Sequence, residues 1–222
     1  MAAKNEGVCL YCDGRFGKAA IARHLNHCTS RLEDKSSGFG PGDQSFFVLS
    51  VQGFAPYWMY VDIDADAKLI DLDSFLRNKW LECCGHLSGF SVDDNTYSVS
   101  PDKFMGDKSM NVKIDKVLEV GMSFRHDYDY GSTTTLKLKV VSARKGIKRR
   151  GPDTKVQLMA ENIAPVFQCS YCNNKAEHIC CECVYEDEGY LCDACAMDHE
   201  CGEDMQLPIL NSPRSGVCGY CG

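Results

Sequence analysis

Long apolar runs are missing from this chain of 222 residues. No stretch approaches the roughly 18 apolar residues that a membrane span needs. The opening MAAKNEGVCLYC also lacks the apolar core of a secretory leader. A cytoplasmic location without membrane association is the expectation, and disulfides are disfavoured in that compartment. Basic residues are missing from one region: between Lys175 and Arg214 there is no Lys or Arg, against ten acids. Together with a formal net charge of −7, this excludes a protein that coats nucleic acid over its whole surface. The run GFGPG at 38–42 is not followed by a Lys-Ser/Thr pair, so there is no P-loop. Around His86, His126, Asp127, Tyr128 and Asp129 no nucleophile stands nearby, and their plain reading is a solvated strand face and turn.

Cysteine, by contrast, is abundant. Among the 15 cysteines, Cys9/Cys12, Cys169/Cys172, Cys180/Cys183, Cys192/Cys195 and Cys218/Cys221 all have C-x2-C spacing, which reads as zinc knuckles where thiols stay reduced. Residues 9–28 run C-x2-C-x11-H-x3-C. Cys9 and Cys12 would grip an ion from a turn, and His24 and Cys28, at i and i+4, from one helical face. His27 is an alternative ligand, and Phe16, Ile21 and Leu25 supply a small apolar core. The finger stands alone rather than in tandem, with Arg15, Lys18, Arg23 and Arg31 available for phosphates.

The second cluster runs Cys169-x2-Cys172-x7-Cys180-x2-Cys183-x8-Cys192-x2-Cys195-x3-His199. It resembles the cross-brace spacing of B-box and related treble domains. On that resemblance the first and third pairs share one ion, while Cys180 and Cys183 draw two ligands from His199, Cys201, Cys218 and Cys221. Cys181 reads as a spectator. The chain is thus expected to hold two to three Zn2+ ions, three being favoured, in closed four-ligand sites that leave no open position for catalysis. The remaining cluster, CCGH at 83–86, reads as buried thiols at a helix end.

Four segments follow from composition and periodicity: a C2HC finger over 1–32, a Gly/Ser/Pro-rich flexible linker over 33–45, an α+β domain over 46–165, and a cysteine-rich zinc module over 166–222. In the middle segment FFVLSVQG and YWMYVDID read as strands and LIDLDSFLRNKWLECC as a helix, with Asp71 or Asp73 as its cap and Gly85 at its end. Alternation over 134–161 predicts a hairpin, with Lys137 and Lys139 on its polar face and RKGIKRRGP at its tip.

The stretches FVLSVQGFAPYWMYVDIDADAKLIDLDSFLRNKW and VGMSFRHDYDYGSTTTLKLKVV, with the YDYG turn as the most specific element, resemble the plasmid open-reading-frame-three-like family, also labelled insertion-element passenger resolvase-like. The resemblance covers about residues 46–143. It implies an α+β fold similar to a β-grasp and supplies no dependable activity. Gly131 is followed here by Ser132, Thr133 and Thr134, where the family typically has acids and a tryptophan. The tail HECGEDMQLPILNSPRSGVCGY is similar to a cysteine-rich extension of some members, which favours Cys218 over Cys221 as a ligand.

The functional expectation is a non-catalytic adaptor for nucleic acid or a ribonucleoprotein, RNA favoured, using the finger and the basic tip residues Arg144, Lys145, Lys148, Arg149 and Arg150. A protein–protein scaffold is the alternative, and an enzyme using the middle-domain cleft is the third reading.

Overall fold

A computed structural model describes residues 5–149, 155–186 and 188–222. The chain forms a mixed α+β structure with few helices and divides into two compact units. Among the described residues, one comprises Asn5 to Leu76 together with Leu87–Ile163; the other comprises Arg77–His86 and Ala164–Gly222. No helix among the described residues is long and apolar enough to cross a membrane.

The first unit is built on one large sheet. Its strands are β1 (Glu6–Cys9), β2 (Arg15–Gly17), β3 (Gln44–Gln52), β4 (Trp58–Asp64), β5 (Ser88–Val92), β6 (Asn95–Ser98), β7 (Lys108–Ser109), β8 (Ser123–Tyr128), β9 (Thr134–Gly146) and β10 (Val156–Asn162). Their order is β2-β1-β10-β4-β3-β9-β8-β5-β6-β7. Every ladder is antiparallel except the short β6–β7 pair.

All seven residues of β4 are buried, because this central strand is covered on both faces. On one face Trp58 and Tyr60 pack with Cys9, Ile21, Leu25, Cys28, Val48 and Met159, so the helix α1 (Lys18–Leu25) lies there. Met59, Val61 and Ile63 point the other way, toward the face from which His126 of β8 meets Asp73 of α3 (Leu69–Leu76) at 2.7 Å.

The finger is therefore part of this unit and not a separate domain. β1 pairs with β10 in the register Gly7↔Asn162. Gly7 is required there, since a Cβ would stand 2.2 Å from the Trp58 ring and 2.4 Å from the Glu161 carbonyl. The stretch 33–45, expected to be a flexible linker, is bonded along its length. Asp34 accepts from the Ser36 N–H at 2.8 Å, and the Gly38 carbonyl accepts from the Ile147 N–H and from Arg144, each at 3.0 Å.

The expected long helix ends at Leu76, and the chain continues as a π-helical turn, Arg77–Leu81, in which the Glu82 N–H reaches the Arg77 carbonyl at 2.8 Å. Asp71 does serve the helix start, accepting from the Lys68 N–H at 2.8 Å, whereas Asp73 is buried against His126.

The predicted 134–161 hairpin is not formed. β4 and β3 stand between β10 and β9, so these two strands are joined by a crossover connection, of which 147–149 and Lys155 are described and the rest of the expected tip lies outside the described residues. Alternation located both strands but carried no information on which neighbours they take.

The crossover is held by a buried ionic cluster. Asp62 of β4 accepts from Arg31 of α2 (Thr29–Glu33) at 3.0 Å and from Nε of Arg144 at 3.0 Å. Arg149 reaches Asp64 at 2.7 Å and Gln157 at 3.0 Å. Arg144 and Arg149 also lie over the Phe46 ring, at 4.1 and 4.8 Å from its centroid.

The second unit holds β11 (His178–Cys180), β12 (Tyr190–Leu191) and β13 (Gln206–Pro208), in the order β12-β11-β13, and the short helix α4 (Asp193–Met197). One cluster beside its sheet consists of Cys180, Leu191 and Ala196, with Cys183 and Cys195 against it, and Trp80, Leu81, Ile179 and Tyr220 are also buried in this unit.

Replacing Asp62 by Ala takes the carboxylate from the buried Arg31 and the part-buried Arg144, and a loss of about 3–5 kcal/mol is expected. It should appear as a lower urea midpoint with an unchanged m-value.

Candidate metal centres

An ion bonded at about 2.3 Å to sulfur and about 2.0–2.1 Å to nitrogen spaces tetrahedral donors about 3.8 Å (S···S) and about 3.5 Å (S···N) apart. The chain brings its cysteines and histidines to these spacings. Among the described residues, four clusters, each of four donors lying within 4.8 Å of one another, are compatible with metal binding, and together they take up 13 of the 15 cysteines.

The first is Cys9, Cys12, His24 and Cys28. Cys9 ends β1, and the knuckle closes through the Asp13 N–H on the Cys9 carbonyl at 2.9 Å and the Cys9 N–H on the Gly14 carbonyl at 3.0 Å. His24 comes from α1 with its ring stacked on Phe16 at 4.0 Å, and Cys28 precedes α2. The separations are 3.9 Å for Cys9 Sγ–Cys28 Sγ and 3.3 Å for Cys12 Sγ–His24 Nε2. Burial pushes the Cys9 thiol up to about 12, a cost that metal coordination would offset by holding the sulfur as thiolate. His27, the alternative ligand, is exposed, with Nδ1 3.1 Å from the Arg23 carbonyl.

The second is Cys169, Cys172, Cys192 and Cys195, with Cys172–Cys192 and Cys172–Cys195 sulfur separations of 3.6 and 3.9 Å. Burial raises the Cys169 thiol, but the N–H groups of Cys192, Tyr171 and Cys172 outweigh it and bring it to about 6. Backbone donors aimed at a sulfur favour the thiolate that a metal requires.

The third is Cys180, Cys183, His199 and Cys201, with Cys183 Sγ 3.5 Å from His199 Nε2 and 3.6 Å from Cys201 Sγ. Burial raises Cys180, yet N–H groups of Cys183 and Glu182 and the His199 ring lower it to about 7. The pairs thus alternate in a cross-brace, each cluster taking donors from both ends of its segment. Cys181 lies outside, its Sγ 3.7 Å from the Met205 sulfur.

The fourth donor grouped with Cys180, Cys183 and His199 is Cys201, where the sequence favoured Cys218. Only one residue separates Cys201 from His199, so the same turn delivers both donors. Cys218 instead stands with Cys83, Cys84 and His86, the CCGH cluster that the sequence reading assigned to buried thiols. Cys84 is in fact exposed and Cys83 half-buried. Cys221 is exposed and belongs to no cluster.

The five basic residues assigned to phosphates are divided by the structure. Arg144 and Arg149 are consumed by Asp62 and Asp64. Lys145 donates to Ser45 Oγ at 2.8 Å, Lys148 is exposed, and Arg150 lies outside the described residues.

Another cationic surface was not anticipated as a site. Because α1 covers only the β10–β4 side of its sheet face, the rest of that face stays open. Gln52, Lys137, Arg125 and Ser91 form one registered row across four strands, and Ser50, Lys139 and Ser123 form a second. They line a groove of 670 Å³, which Lys18 of α1 borders through a 2.6 Å bond from Nζ to Gln52. Alternation in TLKLKVV placed the lysines on a polar face, but Arg125 could be added only once strand order was known.

No protein-family model matches this chain, and no curated protein matches it. Among solved structures, the crystal structure of a protein of unknown function, MM3350 from Methanosarcina mazei Go1, matches at 14% identity with a TM-score of 0.42, covering 54% of this chain and 68% of that one.

Chelation by EDTA should remove amide hydrogen-exchange protection from β11, β12 and β13, whose adjoining cluster is largely made of metal donors. Protection in β3, β4 and β9 should persist under the same treatment, since their packing and ionic cluster need no metal.

Proposed function

We propose that this protein is a zinc-stapled, non-catalytic adaptor that binds RNA or a ribonucleoprotein, with Zn2+ in the finger and in the two cross-braced sites. Tetrahedral spacing of thiolate and imidazole donors is the chemistry that selects Zn2+. A complete set of four donors at each site favours a structural role for the ion over activation of water. The carrying observation is the open sheet face with Arg125, Lys137 and Lys139 in registered rows beside the finger.

That face offers guanidinium, ammonium, hydroxyl and amide donors, with Asp93 also in the groove lining and the exposed Tyr130 beside Gly89 on the same face. It suits contacts to phosphate and sugar, which position a strand without reading its sequence. The phosphate surface therefore moves, in this proposal, from the basic run at 144–150 to the sheet, with Lys145 and Lys148 as outlying cations. Asp127, which pairs with Arg125 at 2.7 Å, limits how strongly the face draws anions.

A cytoplasmic location, where the thiols remain available to metal, belongs to this reading. So does membership of the plasmid open-reading-frame-three-like family with a β-grasp-like centre, supported by the order β3, β4, α3 followed by the antiparallel β5, β8 and β9.

A protein scaffold is the second reading. It is favoured by the cation-free acidic stretch between Lys175 and Arg214 and by Tyr185 and Met197, which are 75% and 78% exposed there.

The test is fluorescence anisotropy with a labelled single-stranded RNA across a salt series. Changing Arg125, Lys137 and Lys139 together to Gln should weaken binding at least tenfold at low salt and flatten the slope of log K against log salt by about two, given about 0.7 per phosphate contact. Changing Lys145 and Lys148 to Ser should have the smaller effect. An unchanged slope in the sheet variant would overturn the RNA reading. Sedimentation of native extract in an RNase-resistant heavy complex would then favour the scaffold.

A further inference from the structure

Cys83, Cys84, His86 and Cys218 are two sequence segments about 130 residues apart that converge within the second unit. His86 Nε2 lies 3.3 Å from Cys218 Sγ, and all four donor atoms fall within 4.8 Å of each other. We propose that they hold a fourth ion of the Zn2+ class that exchanges readily while the other three stay bound. The inference is independent of the RNA reading.

The surroundings of the cluster are organised to present these donors. Gly85 adopts φ +73, a conformation favoured by glycine, and this reversal brings Cys84 and His86 round to the same point. The Glu82 carboxylate fixes the loop, accepting from the Gly85 N–H at 2.6 Å and from Arg77 Nε at 2.7 Å. From the tail, Ser212 Oγ donates to the Trp80 carbonyl at 2.6 Å and accepts from the Arg214 N–H at 2.9 Å. The fully buried Arg214 then directs a guanidinium N–H at Cys83 Sγ, at 3.4 Å. A cation donating to a ligand sulfur is an outer-shell contact that orients the donor and stabilises it as thiolate.

Cys218 itself sits at φ +50, a left-handed conformation that costs a residue with a Cβ and that concentrates at functional positions. Held there, it presents its sulfur toward His86. Three thiolates and one neutral imidazole around a divalent ion leave a net charge of −1, and the Arg214 guanidinium lies against it.

Accessibility distinguishes this cluster from the other three. Cys84 and Cys218 are exposed, with Cys83 and His86 half-buried. The finger has Cys9 and Cys28 buried, the all-cysteine site Cys169 and Cys192, and the third site Cys180. An incoming ligand can therefore reach the donors of this cluster first, and the ion that ties the tail to the 83–86 loop is the one a chelator meets.

The full-length protein, purified without chelator and supplied with Zn2+, should carry four zinc ions per chain by elemental analysis. Cys84→Ser, Cys218→Ser and His86→Gln should each carry three, while Cys221→Ser should keep four. Challenge with the chromogenic chelator pyridylazoresorcinol should release one equivalent from the wild type at least tenfold faster than the rest. That fast phase should be absent from the first three variants and present in His86→Cys, which restores a ligand and guards against loss through misfolding. Wild type and variants with equal zinc content would overturn the site. Release of all four ions in one phase would overturn its exchangeability. A wild type holding fewer than three ions would refute the three-zinc reading instead, because this site is scored by the difference of one between wild type and variants.

Discussion

Two carboxylates on the central strand organise the first unit. Asp62 and Asp64 stand on β4 with exposures of 0% and 4%, where an unpaired negative charge would be prohibitively costly. Each recruits arginines from elsewhere in the sequence: Arg31 from beside the finger, Arg144 from β9, and Arg149 from the crossover. Because each arginine is itself buried or nearly so, neither side of the pairing can be removed alone. The aromatic rings of Phe46 and Phe39 lie under the guanidinium planes and complete their surroundings. A net favourable energy for such a cluster is not its main consequence. What it enforces is that the finger, the 33–45 segment and the crossover occupy one arrangement around β4.

The second unit solves the same problem with different chemistry. Both ladders of its small sheet pair over no more than three positions, and donor cysteines are themselves members of the cluster beside it. A metal bound by these donors would join four chain positions at once, and coordination bonds could then stand in for apolar contacts. The short helix α4 and the strands around it are better understood as spacers that set donor distances.

Regular spacing made most of this legible before the fold was known. C-x2-C pairs place two sulfurs on one tight turn whatever surrounds them, so Cys9/Cys12, Cys169/Cys172, Cys180/Cys183 and Cys192/Cys195 could be read locally. Cys218 and the 83–86 loop could not, because their meeting depends on a tertiary path linking distant segments. Of the pair Cys218/Cys221 the first was favoured as a donor, but with Cys180 and Cys183, whereas it groups with Cys83, Cys84 and His86. The same limit applies to charge. The run RKGIKRR reads as a solvated basic turn by composition, but the acids that bury Arg144 and Arg149 sit some 80 residues earlier in the chain. Strand identities followed from alternation, while strand partners, and with them the cationic rows on the sheet, did not.

The pairing of β1 with β10 has a temporal side. Residues 9–28 can chelate an ion as soon as they emerge from the ribosome, since all four donors lie within 20 positions. Their strand has no partner on its β10 edge until Asn162 has been made, so these four donors are complete beside an unpaired sheet edge until then. Closing that long loop needs both ends of the 6–162 stretch, so a chain made only as far as the finger carries its four donors next to an open sheet edge.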